Sequence, residues 1–272
     1  MTRAAVVGLG LIGGSVAMGA GARGWDRDAA VRAKARSRGI DTADSLAEAV
    51  AGASIVVLAV PTAETPALLS EVARLAPDAI LTDCASLKGP AVAAAGGLPD
   101  GARFVAGHPM AGGRGRGVAA ADPAIFRGRP WALVRTARSD DASFAETEAF
   151  VRSLGARPRE IDAERHDRAM TWVSHLPLAV SAALARAAAA GGGADVSDFA
   201  GPGLLDATRL AGGPPALALE LVLAGGGVAL GGAIASVRDE LSRLAAALSA
   251  GDERALRAFF EDAETLRRSL ER

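Results

Sequence analysis

Short, continuously apolar runs alternate with amphipathic or polar stretches through the first part of the chain. The runs "AAVVGL" (4–9), "ASIVVLAVP" (53–61) and "AILTDCAS" (79–86) are each bounded by turn-forming residues. Unbroken apolar runs of this length predict strands covered on both faces, as in a parallel α/β sheet. The series continues with "RFVAG" (103–107), "PWALVR" (130–135) and "RPREI" (157–161), while "FAETEAFVRSLG" (144–155) reads as an amphipathic helix closed by Gly155. Residues 1–162 are therefore expected to form one doubly wound α/β domain. From residue 163 to 272 the strand signals stop, and Ala/Leu/Arg-rich stretches predict an all-α domain. It is broken at "GGGADVSDFAGPG" (191–203) and "AGGPP" (211–215), leaving a long first helix, a middle element and at least two further helices.

Composition narrows the function classes. Half of the 272 residues are apolar, and the formal charge is −1. Without a concentrated basic field, neither a nucleic-acid nor a membrane-surface partner is expected, which points to a small molecule. The single cysteine, Cys84, cannot form an intramolecular disulfide or a cysteine-rich zinc site, so no metal is expected. The start "MTRAAVVGLG" lacks a signal-peptide pattern, so a cytoplasmic location is expected. The stretch 216–237 is about long enough to cross a bilayer, yet Glu220 and the glycines 225–227 fit a broken or buried helix better. A helical domain of this size, rich in Ala and Gly, suits completion of its core by a second copy, so a homodimer is expected.

Directly after the first apolar run comes "GLGLIGG", with Gly8, Gly10 and Gly13 in the G-x-G-x-x-G spacing and Leu11 and Ile12 between them. Such glycines allow a tight turn, a close approach of backbone amides to a pyrophosphate, and packing of the next helix on the strand. This makes the first domain Rossmann-type and dinucleotide-binding. Asp26, in "ARGWDRD", stands where an acidic side chain would accept hydrogen bonds from ribose hydroxyls and repel a 2′-phosphate, which favours NAD. Arg27 follows directly and could instead meet that phosphate, so NADP is the alternative. Asp26 lies close behind Gly13, which compresses the first helix and second strand.

Three histidines are candidates for proton transfer near neutral pH: His108, His166 and His175. His108 is expected in a loop after a strand, on the cofactor side of the sheet, and is the favoured base. His166 and His175 share the predicted helix "ERHDRAMTWVSHLPLAV", on opposite sides of it, and Pro177 should kink that helix beside His175. For His166, which precedes Asp167 near the helix start, a structural or capping role is weighed equally with a functional one. Ser86 and Lys88 in "TDCASLKG" follow the third clear strand and could contact a substrate. Arg209, among apolar neighbours in "GPGLLDATRLAGG", is either an anion ligand or a surface arginine.

Six segments in order, "VVGLGLIGGS", "DCASLKG", "FVAGHPMAGG", "GVAAADPAIFRGRPWALV", "HDRAMTWVSHLPLAVSAAL" and "LLDATRLA", closely resemble the motifs of the prephenate and arogenate dehydrogenase family of tyrosine biosynthesis. The resemblance spans about residues 4 to 212. It implies an NAD(P)-binding domain followed by a helical dimerisation domain. It also implies hydride transfer from a ring hydroxyl, with loss of the ring carboxylate as carbon dioxide. By resemblance His108 takes the hydroxyl proton, Ser86 hydrogen-bonds near that hydroxyl, Arg209 holds a substrate carboxylate and His175 lines the substrate cavity. Leu178 stands where many prephenate-using members carry histidine, which leans towards arogenate. Gly113 and Arg114 stand where Thr and Glu are frequent, and the added cation leans towards the more anionic prephenate. The substrate is left open between the two. A β-hydroxyacid dehydrogenase-like reductase and a catalytically silent NAD-binding sensor are the alternatives to this reading.

Overall fold

The computed structural model describes residues 3–113, 115–213, 215, 218–219, 222 and 227–270. Arg114, and residues 216, 217, 220, 221 and 223–226 of the stretch 216–237, lie outside the described residues. The chain divides into two compact units, one of residues 1–170 with 214–226, the other of residues 171–213 with 227–272.

The first unit is built on a seven-stranded sheet of order β2-β1-β3-β4-β5-β6-β7. The strands are β1 (Ala4–Val7), β2 (Arg23–Trp25), β3 (Ile55–Leu58), β4 (Ile80–Asp83), β5 (Arg103–Pro109), β6 (Pro130–Val134) and β7 (Arg157–Glu160). β1 to β5 run parallel, β6 is antiparallel to β5, and β7 is parallel to β6. Alternate residues of each strand enter different cores, as the two-residue side-chain period requires. Val6, Ile55 and Val57 join a cluster with Val16, Phe144 and Phe150, whereas Val7, Val56 and Leu58 join one with Leu46, Leu69 and Ala95. Helices α1 (Leu11–Ala20), α2 (Ala29–Ser37) and α6 (Asp141–Ser153) supply the first layer. Helices α3 (Leu46–Val50), α4 (Thr65–Leu75) and α5 (Gly89–Ala95) supply the second. This is the doubly wound arrangement expected from the apolar runs.

Local chemistry sets the element ends. The helix read from "FAETEAFVRSLG" begins earlier, at Asp141, because Asp140 and Ser143 form a reciprocal capping box. It stops before Gly155, whose φ of +81° is the left-handed geometry that glycine adopts without strain. β2 has three residues and α1 ten, which is how the chain reaches Asp26 so soon after the glycine loop.

The helix predicted around both histidines is in three pieces: α7 (Ala163–Met170), a π-helical turn over Thr171–His175, and α8 (Leu176–Gly192). Pro177 sits in the first turn of α8, and the π turn directly precedes it. A proline has no N–H and its ring crowds the preceding turn, so the interruption expected beside His175 takes the form of a widened turn. The division between the two units falls at Met170, where this turn starts.

The second unit continues with short helices Asp195–Phe199 and Pro202–Ala207, a 3-10 turn Arg209–Gly212, and two long helices, Gly227–Ala250 and Glu253–Ser269. Its buried cluster is small: Leu176, Leu230 and Ala233, with Ala179, Val180 and Val237 against them. Phe199, Val228, Leu241, Leu248, Phe260 and Leu266 are exposed. Among the described residues one helical run, Ala163–Gly192, is long and apolar enough to cross a membrane by length and composition.

Gly13 tests the packing of the first helix, because a Cβ there would lie 1.9 Å from the Gly8 carbonyl oxygen. Gly13→Ala is expected to lower the unfolding free energy by about 2 kcal/mol or more, read from a urea titration. The open Gly10, with nothing within 4 Å of its added Cβ, should tolerate alanine with less than about 1 kcal/mol lost.

Candidate functional site

The glycine loop joins β1 to α1 at the carboxyl end of the sheet, beside the point between β1 and β3 where strand order reverses. Gly8 has φ +91°, and a Cβ on it would lie 2.5 Å from the Ala59 carbonyl oxygen, so the turn itself demands glycine. Gly10 caps α1 without any side-chain hydrogen bond, and the first turn carries no acidic residue. The first-turn amides at Leu11, Ile12 and Gly13, together with the open space over Gly10, fit a pyrophosphate approaching the positive end of the helix.

Asp26 closes the loop from the side. Its Oδ2 accepts from the Leu9 backbone N–H at 2.8 Å and its Oδ1 accepts from the Asp28 N–H at 2.9 Å. Each oxygen keeps a lone pair, so the carboxylate is held at the end of β2 with acceptor capacity left for ribose hydroxyls. Arg27 points its guanidinium to Glu64, at 3.1 Å, on an exposed face.

The second cluster gathers where β4 and β5 end. Lys88 has no exposed surface, and its ammonium donates to the Asp83 carboxylate and the Gly107 carbonyl, each at 2.5 Å. Asp83 also accepts from the Gly107 N–H at 2.9 Å and the Ala85 N–H at 3.0 Å. The expectation that Lys88 contacts a substrate is corrected: an ammonium held in a buried pair ties β4 to β5, and leaving that pair would strand Asp83 as a buried charge. Gly107 permits the close approach, since a Cβ would lie 2.7 Å from the Asp83 carbonyl oxygen. Cys84, next to Asp83, has its thiol pKa pushed up, chiefly by burial.

His108 is also corrected, from loop to strand. It is the sixth residue of β5, paired with Ala132 of β6, and the antiparallel ladder fixes its backbone. The ring is half-buried, and its Nδ1 lies 3.0 Å from Nε2 of His166. His166 is 1% exposed, and its Nδ1 lies 2.7 Å from Asp167 Oδ1. Asp167 in turn accepts from the backbone N–H of Lys88 at Oδ1 and of Gly89 at Oδ2, both at 2.8 Å. Burial raises the Asp167 pKa, but the bonds from His166, Lys88 and Gly89 outweigh it and hold the carboxyl below its usual range. The group is thus an anion at neutral pH. His166 does not cap its helix; the Asp162 side chain does, accepting from the Arg165 N–H at 2.8 Å.

The first unit therefore brings together His108, His166, Asp167, Lys88 and Asp83. Ser86 is half-buried in the turn after β4. In the second unit, His175 is 2% exposed at the end of the π turn, Leu178 is half-buried in the first turn of α8, and Arg209 opens the 3-10 turn with an exposed side chain. His166 and Asp167 were not picked out as partners of His108, although an acid beside a histidine at a helix start was a usable signal.

Residues 18–159 match the family described as prephenate dehydrogenase, nucleotide-binding domain, and residues 162–262 match that described as prephenate dehydrogenase, dimerization domain. The chain is 31% identical over 287 residues to the prephenate dehydrogenase of Lactococcus lactis subsp. cremoris, covering 100% of this chain and 78% of that protein. It is 32% identical over 232 residues to the prephenate dehydrogenase of Bacillus subtilis, covering 80% of this chain and 62% of that protein. The crystal structure of Synechocystis arogenate dehydrogenase matches with a TM-score of 0.81 at 28% identity, over 98% of this chain and 99% of that one. A prephenate dehydrogenase from Aquifex aeolicus, in complex with hydroxyphenyl propionate and NAD+, shares the fold with a TM-score of 0.88 at 24% identity, over 99% and 98% of the two chains.

The buried pair generates a stability prediction. Lys88→Met should cost about 3–5 kcal/mol in a denaturant titration, because it leaves Asp83 buried and unpaired. Adding Asp83→Leu to the same chain should recover part of that loss.

Proposed function

We infer that this chain, which belongs to the prephenate dehydrogenase family, catalyses the NAD(P)-dependent oxidative decarboxylation of prephenate or arogenate in tyrosine biosynthesis. The observation that carries the reading is the pairing of a dinucleotide-type glycine loop with a histidine held on the same sheet and backed by a buried histidine and its carboxylate partner. Bound nicotinamide would supply the hydride acceptor, and loss of the ring carboxylate as carbon dioxide makes the product aromatic. What remains for the protein is to hold the ring and remove one proton.

In this reading His108 accepts the hydroxyl proton and Ser86 hydrogen-bonds near the hydroxyl. Arg209 pairs with a substrate carboxylate, and His175 and Leu178 line the space around the substrate. Gly8, Gly10, Leu11, Ile12 and Gly13 hold the pyrophosphate. Asp26 meets the ribose, which favours NAD, and the engagement of Arg27 by Glu64 supports that preference over NADP. Leu178 and Arg114 pull substrate choice in opposite directions, so both substrates belong in the assay. The reaction suits a cytoplasmic enzyme that draws on the soluble nicotinamide pool.

The second unit supports a homodimer. Its buried cluster is small while large apolar side chains stay exposed, and a second copy laid on that surface would remove them from water. The same contact gives a soluble role to the apolar run 163–192, in place of a membrane span.

Purified protein with NAD and prephenate or arogenate should form reduced nicotinamide, and His108→Asn should lower kcat by about 10²–10⁴ while leaving NAD affinity within about twofold. Absence of turnover with both substrates and both cofactors would overturn the assignment. Sedimentation should give twice the 27.3 kDa of one chain at micromolar concentration, and a monomer would contradict the dimer.

A further inference from the structure

We propose that His166 and Asp167 are positioning residues that fix the tautomer of His108 and receive its positive charge, so that the base in the reaction is a two-histidine relay and not a single ring. The proposal rests on the reading of His108 as the base, and deepens it.

The logic runs outward from the anion. Asp167 accepts two backbone N–H groups, from Lys88 and Gly89, and both are fixed donors at the start of α5. As a carboxylate it has no proton to give, so the 2.7 Å contact with His166 requires the proton to sit on His166 Nδ1. A neutral His166 then offers only a lone pair at Nε2. The 3.0 Å contact with His108 Nδ1 therefore requires His108 to be the donor. A neutral imidazole carries one N–H, so Nε2 of His108 is left with the lone pair that a base needs. One carboxylate thus sets the protonation pattern of two rings.

The same chain carries charge away when the base acts. The substrate hydroxyl proton bonds to His108 Nε2 as its O–H bond breaks. The His108 Nδ1 proton can then cross to His166 Nε2, which leaves His108 neutral and His166 as the imidazolium against Asp167. No oxidant or further reactant is needed, because only protons move. Burial of the His166 ring weakens screening of its attraction to the Asp167 carboxylate, which is itself partly exposed.

Charged groups beside the relay include Asp167 from α7 and the Lys88–Asp83 pair, whose Gly107 contacts lie one residue before His108. Lys88 and Asp83 neutralise each other, and Asp167 is the anion in direct contact with His166.

Nitrogen-15 spectra of the histidine rings test this without substrate. With three histidines in the chain, His108→Asn and His166→Gln variants assign the signals. The wild-type protein above the pKa of the pair should show both His108 and His166 as Nδ1–H tautomers; an Nε2–H tautomer at His108 would overturn the proposal, whatever the substrate proves to be. Asp167→Asn should lower the plateau kcat/KM by on the order of 10²-fold or more, as a wrong tautomer does elsewhere. It should also release His108 from the Nδ1–H tautomer in the nitrogen-15 spectrum, and Asp167→Glu should restore part of both. A loss of rate with His108 still in the Nδ1–H tautomer would mean that Asp167 serves only to hold the fold.

Discussion

Lys88 has no exposed surface, and an ammonium group taken out of water must be given acceptors or it will lose its proton or unfold the site. Here the acceptors are the Asp83 carboxylate and the Gly107 carbonyl, so satisfying one charge clamps the end of β4 to β5 one residue before His108. The backbone of the same residue donates to Asp167, which in turn orders His166 and, through it, His108. The catalytic geometry proposed above thus hangs on a lysine that makes no contact with the proposed base. A site built this way resists small displacement, because any shift of β5 relative to β4 would leave a buried charge unpaired.

The glycine loop follows a different principle. There the constraint is space: Gly8 and Gly13 are required because a Cβ would collide with backbone or with the loop itself, and Gly10 leaves the helix end open. Asp26 fastens the loop through the Leu9 N–H and still has acceptor capacity for a ligand. The two clusters share one sheet edge, so a rigid parallel sheet sets the distance between a bound dinucleotide and the histidine ring.

Much of the first unit could be read from the chain, because buried parallel strands are written as short apolar runs, and the runs at 55–58, 80–83 and 130–134 became strands. The reversal of β6, which puts His108 inside a ladder, could not be read, since apolarity carries no direction. The role of Lys88 was hidden for a similar reason: its partner Gly107 lies in another strand, and a lysine in the turn after a strand reads as a substrate contact as readily as a buried tie. His166 was legible as an acid–histidine pair, but its contact with His108 spans 58 residues of sequence and depends on how α7 meets the sheet. The proline-induced break beside His175 was legible, although its form as a π turn was not.

The central claim is that His108 and His166 act as one unit, and a double-mutant cycle on kcat/KM reads that coupling directly. If they do, His166→Gln should cost at least about tenfold in the wild-type background and change kcat/KM by no more than about twofold once His108 is already Asn. Equal losses in both backgrounds would show independent residues and contradict the account.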